Sequence, residues 1–193
     1  MLLKRISKIH ANHSECRFAA VLHKSEYDLH YKRGERPKKI PLDTMYGICF
    51  RMCLSFAIDM IQDVIKWADP QIDFVLEAGH RNMVDAKRIF DQIKKEVPDL
   101  RNLLGTISFG EKESAPGLQG ADAVAYFALR SEREGDAELA DFRTESTLEY
   151  ARRTASSKSP IFRLGGRSDI LAAMRENLVT LEEFRRQRSS PSL

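Results

Sequence analysis

Residues 72–109 read IDFVLEAGHRNMVDAKRIFDQIKKEVPDLRNLLGTISF, and this pattern predicts a strand, a helix and a second strand. The runs IDFVLEAG at 72–79 and LLGTISF at 103–109 are short and apolar, as buried strands are. Between them, a helix over residues 82–96 is predicted by apolar residues near helical spacing: Val84, Ile89, Phe90 and Ile93. Strand–helix–strand units of this length pair their strands in parallel with a right-handed crossover. The segment therefore predicts a layered α/β structure.

The same alternation continues on both sides of this segment. Upstream, the apolar run 16–22 predicts a strand, and Asp43 or Thr44 can cap a buried helix that ends near Ala68. Downstream, residues 118–130 predict a helix whose small side chains suit close contact with a sheet. The middle of the chain therefore predicts strands and helices in strict alternation.

The two ends of the chain predict further helices. Helical periodicity occurs at residues 2–10, 139–154 and 169–186. The stretch LGGRSD at 164–169 is typical of a linker. We therefore predict an α/β domain over residues 1–135 and a helical C-terminal extension over residues 136–193.

The composition excludes several classes of protein. The 193 residues are 42% hydrophobic and 31% charged with a net charge of +3, which is ordinary for a globular protein. No apolar run approaches the ~20 residues that span a bilayer, and MLLKRISKIH at the start lacks the features of a secretory signal. Cys16, Cys49 and Cys53 form no CxxC pair, so neither a disulfide framework nor a zinc site is indicated. We therefore expect a cytoplasmic protein with no membrane partner.

The sequence gives only weak signals for nucleic acid. Residues 1–44 carry ten basic and five acidic groups, which suits contact with phosphate, although a solvated surface explains so modest an excess better. Aromatic and basic residues do not alternate along the chain, so the sequence does not indicate a platform for stacking single strands.

Three carboxylates are predicted near one edge of the sheet. Glu77 ends one predicted strand, Glu111 lies just beyond the next, and Asp122 lies one turn into an apolar helix. The carboxyl ends of parallel strands meet at one edge, where grouped carboxylates could bind Mg²⁺ or Mn²⁺. Each acid alone also fits an ordinary surface charge. We expect the carboxylates of Glu77 and Asp122 to lie within ~8 Å of each other.

Three polar residues close to these acids in sequence are candidates for substrate binding. Lys112 could neutralise a phosphate, and His80 could orient a water or a phosphate. A loop lysine and a turn histidine explain the same two residues without a ligand. Gln119 could either reach a base edge or cap its helix.

One segment carries a resemblance to a known family. The stretch ESAPGLQGADAVAYFALR at 113–130 resembles the signature of the bacterial and phage family called "domain of unknown function 3800", in which a Ser/Lys-containing loop precedes a Leu-Gln-x-Ala-Asp helix. Here Gln119 and Asp122 match that motif, together with Leu118 and Ala121. The strand and turn FVLEAGHRN at 74–82 is also similar to the family, and RFAAVLHKSEYDLHYKR at 17–33 resembles its strand that leads to a Lys-x-x-Tyr segment.

The resemblance implies an RNase H-like fold in which acidic residues hold divalent metal for phosphodiester cleavage. It implies that Glu77 and Asp122 are the catalytic carboxylates and that Glu111 corresponds approximately to a further metal ligand. Family members usually begin with an Asp-Glu-Ser-Gly strand, and no such stretch occurs here. We therefore predict an incomplete RNase H-like three-layer fold with a short, partly parallel sheet.

Two functions follow from this interpretation. The first is a Mg²⁺- or Mn²⁺-dependent nuclease-like domain that has little or no activity as it stands. The alternative is a non-catalytic remnant or interaction module of the same family. Because the first strand of the family is absent, open strand edges predict a homo-oligomer or a partner that supplies a strand.

Overall fold

The computed structural model describes residues 17–33, 37–38, 40–65, 70–134, 161–165 and 171–177. The strands are β1 (Arg17–Val21), β2 (Ile72–Glu77), β3 (Leu104–Gly110) and β4 (Ile161–Gly165). The helices are α1 (Lys24–Glu26), α2 (Met45–Asp59), α3 (Met83–Glu96), α4 (Pro116–Glu134) and α5 (residues 171–177). Two π-helical segments, Tyr27–Lys32 and Met60–Ile65, follow α1 and α2, and the 3-10 turn Pro98–Leu100 precedes β3. The helices predicted at 2–10 and 139–154 lie outside the described residues.

The fold is mixed α/β, as predicted, and its strands form two parallel pairs. β2 pairs with β3, and Glu77 lies beside Gly110 at their carboxyl ends. β1 pairs with β4, and Val21 lies beside Gly165. Within the described residues each sheet has these two strands and no third.

The prediction that residues 136–193 are a helical extension is wrong in one segment. Residues 161–165 form β4, including Leu164 and Gly165, which were predicted to belong to a linker. A five-residue run has little intrinsic preference for a strand, and here the strand depends on pairing with β1 at the other end of the chain. The α/β domain and the segment after it are therefore joined by backbone pairing.

Helix α2 begins at a specific cap and is buried along most of its length. The side chain of Thr44 accepts a hydrogen bond from the backbone N–H of Gly47 at 3.1 Å, so Thr44 is the cap. Asp43, the other candidate, is buried, and its carboxylate contacts the guanidinium groups of Arg51 and Arg88. These contacts join the start of α2 to α3.

Helices pack on both faces of the β2–β3 pair. Residues of α2 and α3 form one core with Ile72, Phe74 and Leu76 of β2. Val75 lies on the opposite face because side chains alternate along a strand, and there α4 approaches: a Cβ on Gly110 would lie 3.4 Å from Val75 and 3.9 Å from Leu118. The start of α4 is thus held near the carboxyl ends of both strands.

One side chain that the sequence placed in the core lies on the surface of α3. Val84 was expected in the core but is 71% exposed, because it lies about 200° around α3 from the fully buried Ala86.

In the part of the chain that the structure describes, no helix is long and apolar enough to cross a membrane.

Candidate functional site

Three charged side chains meet at the carboxyl end of the β2–β3 pair. Glu77 is the last residue of β2, Lys112 lies in the turn after β3, and Asp122 lies in the second turn of α4. The Nζ atom of Lys112 lies 3.1 Å from Oε1 of Glu77 and 2.5 Å from Oδ2 of Asp122. Because both oxygens contact one nitrogen, they are closer than the ~8 Å that the sequence predicted. We call this group the Glu77–Lys112–Asp122 cluster.

The cluster is open to solvent and carries a net negative charge. The side chains of Glu77, Asp122 and Lys112 are 47%, 53% and 37% exposed. Hydrogen bonds to Asp122 and then to Glu77 raise the pKa of Lys112 above its usual value, so its ammonium stays charged. Since solvent screens such exposed contacts, they contribute little to stability. Two acids and one ammonium are therefore held together in a place where a ligand can reach them.

The backbone after β3 positions the lysine. The carbonyl of Glu111 accepts hydrogen bonds from the backbone N–H groups of Ser114 at 3.2 Å and Ala115 at 3.0 Å, which closes the turn. Nε2 of Gln119 donates to the carbonyl of Lys112 at 3.0 Å. This bond is not the helix cap predicted for Gln119: its amide braces the turn that carries Lys112. Contact of Gln119 with a base edge stays a prediction.

Glu111 does not complete a three-acid site. Within the described ranges, no three His, Cys, Asp or Glu side chains are grouped as a metal site requires. Glu77 and Asp122 lie together as predicted, whereas the carboxylate of Glu111 does not join them. The donor set suits one hydrated Mg²⁺ or Mn²⁺, which binds through one or two carboxylates and keeps several waters. It does not suit a pair of ions.

His80 lies just beyond Glu77 and its ring is held on two sides. Its ring stacks on Tyr46, with centroids 4.4 Å apart and planes at 24°. Nδ1 accepts a hydrogen bond from the backbone N–H of Asn82 at 3.2 Å, which assigns the neutral ring the Nε2–H tautomer. The turn that places His80 here contains Gly79 with φ of 80°, a conformation that favours glycine.

Sequence reasoning missed Tyr46. Burial raises the pKa of Tyr46, and the nearby Cys53 and Glu77 raise it further, so its hydroxyl belongs to the surroundings of Glu77. Tyr46 lies in the first turn of α2, and only the packing of that helix against β2 brings it to His80. The one local signal was its position two residues after Thr44, the helix cap.

Cys49 and Cys53 are free thiols one helical turn apart on α2. Burial raises the pKa of Cys49 to about 11 and that of Cys53 to about 12, so both stay protonated at neutral pH. They are therefore poor nucleophiles at neutral pH.

No protein-family model, curated protein or solved structure matches this chain. A function is therefore inferred from the chemistry of the cluster.

Proposed function

We propose that this chain is a nuclease-like domain that binds one Mg²⁺ or Mn²⁺ and a phosphodiester at the Glu77–Lys112–Asp122 cluster. The observation that supports this proposal is the convergence of two carboxylates from different elements on one lysine. The location at the carboxyl end of a parallel strand pair, where α/β proteins gather functional groups, adds to it. As a finer fold, we propose an RNase H-like arrangement of these strands.

Each residue of the cluster has a role in this proposal. Glu77 and Asp122 supply the oxygen ligands for the cation. Lys112, once released from them, donates to a non-bridging phosphate oxygen and stabilises the charge that develops there. When bound, the cation polarises the phosphate and lowers the pKa of a bound water. Because two acids cannot fix a pair of ions ~4 Å apart, we expect slow cleavage.

The first test measures cation binding and cleavage in the same variants. Mn²⁺ binding is followed by electron paramagnetic resonance, and cleavage is assayed on single- and double-stranded DNA and RNA. Glu77→Gln and Asp122→Asn should each abolish both signals. Asp91→Asn is the matched control, because Asp91 is a 56% exposed acid that pairs with Lys87 on α3, outside the cluster. The proposal fails if wild type binds no Mn²⁺, or if cleavage survives Asp122→Asn.

A second function, a non-catalytic interaction module, is favoured by two observations. Lys112 already neutralises much of the charge of both acids, so no cation is needed to hold them together. The described strands also form pairs with open edges, which invite a strand from a partner or a second copy. A concentration-dependent dimer in light scattering, with no Mn²⁺ binding, would support the module in place of the nuclease.

A further inference from the structure

We infer that His80 and Arg81 form a platform on which an unpaired nucleobase stacks, with the guanidinium of Arg81 contacting the attached phosphate. The inference rests on the proposed function in one respect: it names single-stranded nucleic acid as the substrate class of that site. Its own basis is the stacked pair of the Tyr46 and His80 rings and the exposed guanidinium of Arg81, the residue after His80.

The platform is rigid before any ligand binds. The ring of Tyr46 packs against the core of α2, α3 and β2, and the ring of His80 lies on it. The hydrogen bond from the N–H of Asn82 to Nδ1 fixes the rotation of the imidazole. The backbone of His80 is held as well, because its carbonyl accepts from Met83 N–H at 3.0 Å. A base that stacks here loses little binding free energy to ordering the protein.

The outer face of His80 is the surface that a base would cover. Its ring contacts no aromatic residue other than Tyr46 in the described chain, and its Nε2 has no hydrogen-bond partner there. A half-buried imidazole ring suits stacking because every base, whatever its identity, offers a flat π face. The free Nε2–H adds a donor at the ring edge.

Arg81 supplies what the Glu77–Lys112–Asp122 cluster lacks, a positive charge that is not already paired in the described part of the chain. Its side chain is exposed, and within the described residues it forms no ion pair or hydrogen bond. By contrast, Lys112 is engaged by two acids, and Arg88 is engaged by Asp43 and Asp85. Since the cluster alone is net negative, a backbone phosphate needs a cation such as Arg81 close by.

The test measures binding of a labelled oligothymidylate of about twelve nucleotides and of an abasic strand of equal length, by fluorescence anisotropy in EDTA. His80→Ala should bind oligothymidylate about tenfold more weakly and the abasic strand equally well. His80→Phe, which keeps a stacking ring, should bind oligothymidylate nearly as well as wild type. Arg81→Ala should weaken binding of both strands and lower the salt slope by about 0.7. Arg101→Ala, an exposed arginine before β3 at the opposite end of the sheet, should change neither.

Two results would overturn the inference. In the first, His80→Ala and His80→Phe lose affinity for oligothymidylate equally; in the second, neither variant changes that affinity. Wild type that binds the abasic strand as tightly as oligothymidylate would overturn it too. Because EDTA removes the cation, binding here is independent of Mn²⁺ binding. Failure of oligothymidylate binding with intact Mn²⁺-dependent cleavage therefore rejects only the platform, and the reverse result rejects only the nuclease.

Discussion

Replacing Gly47 with Ala should destabilise the protein, because α3 packs closely against α2 at this glycine. A Cβ at this position would overlap Oδ2 of Asp85, lie 3.1 Å from its Cγ, and lie 2.8 Å from Cδ1 of Ile89. Asp85 cannot simply move away, because its Oδ2 accepts from the backbone N–H of Thr44 at 2.8 Å and from the hydroxyl of Thr44 at 2.7 Å.

The expected cost follows from these contacts. Overpacking costs about 1–3 kcal/mol, and a hydrogen bond to a charged group contributes about 1.5–3 kcal/mol. Replacing glycine by alanine in a helix returns about 1 kcal/mol. The net loss is therefore about 1.5–5 kcal/mol, which lowers the Tm of a chain of this size by roughly 3–20 °C.

Thermal melting followed by far-UV circular dichroism measures this loss. The matched control is Gly117→Ala in the first turn of α4, where an added Cβ meets no atom within 4 Å. That variant should melt at the wild-type temperature or slightly above it. In an Asp85→Ala background the cost of Gly47→Ala should shrink, because the main clash is removed. A Gly47→Ala protein that melts like wild type would refute the reasoning.

Three further predictions concern titratable groups. Burial raises the pKa of Asp85 but hydrogen bonds from two neighbours outweigh it, so the net pKa is lowered. The stability this gives is present above the unfolded pKa and is lost below about pH 4. Asp85→Asn should therefore flatten the fall of the urea midpoint between pH 5 and pH 3. For Lys112 the raised pKa gives stability that is present below the unfolded pKa and is lost as pH rises through the folded one. Lys112→Met should flatten the small alkaline fall of the urea midpoint above about pH 10. Native Cys49 and Cys53 should react far more slowly with a thiol reagent at pH 8 than the urea-unfolded chain does, since only a thiolate attacks; equal rates would contradict this.

The sequence predicted those strands and helices whose ends and periodicity are set by residues close together in the chain. β2, α3 and β3 were predicted nearly to their ends, because strand length, helical periodicity and Pro98 are all visible in the sequence. The meeting of Glu77 and Asp122 was predicted for a similar reason: parallel strands end at one edge.

The features that escaped prediction depend on contacts between distant segments. Asp43 was one of two candidates for the cap of α2, but it is 1% exposed and pairs with Arg51 and with Arg88 on α3, and these contacts offset the cost of burying its charge. Lys112 was predicted near the acids, yet its contact with both at once depends on how α4 packs over Val75. The stack of Tyr46 on His80 likewise depends on how α2 packs against β2, and no short sequence pattern predicts that packing.

The pairing of β1 with β4 has a consequence for the order of folding. The ribosome synthesises β1 well over a hundred residues before β4, the strand with which it pairs. At a synthesis rate of about 5–20 residues per second, the backbone groups of β1 that pair with β4 have no partner strand for on the order of ten seconds. β2 and β3, separated by one helix, can pair long before then. We therefore expect the β2–β3 unit to form first. The pairing of β1 with β4 should be the slow step, because well over a hundred residues separate these two strands in the sequence.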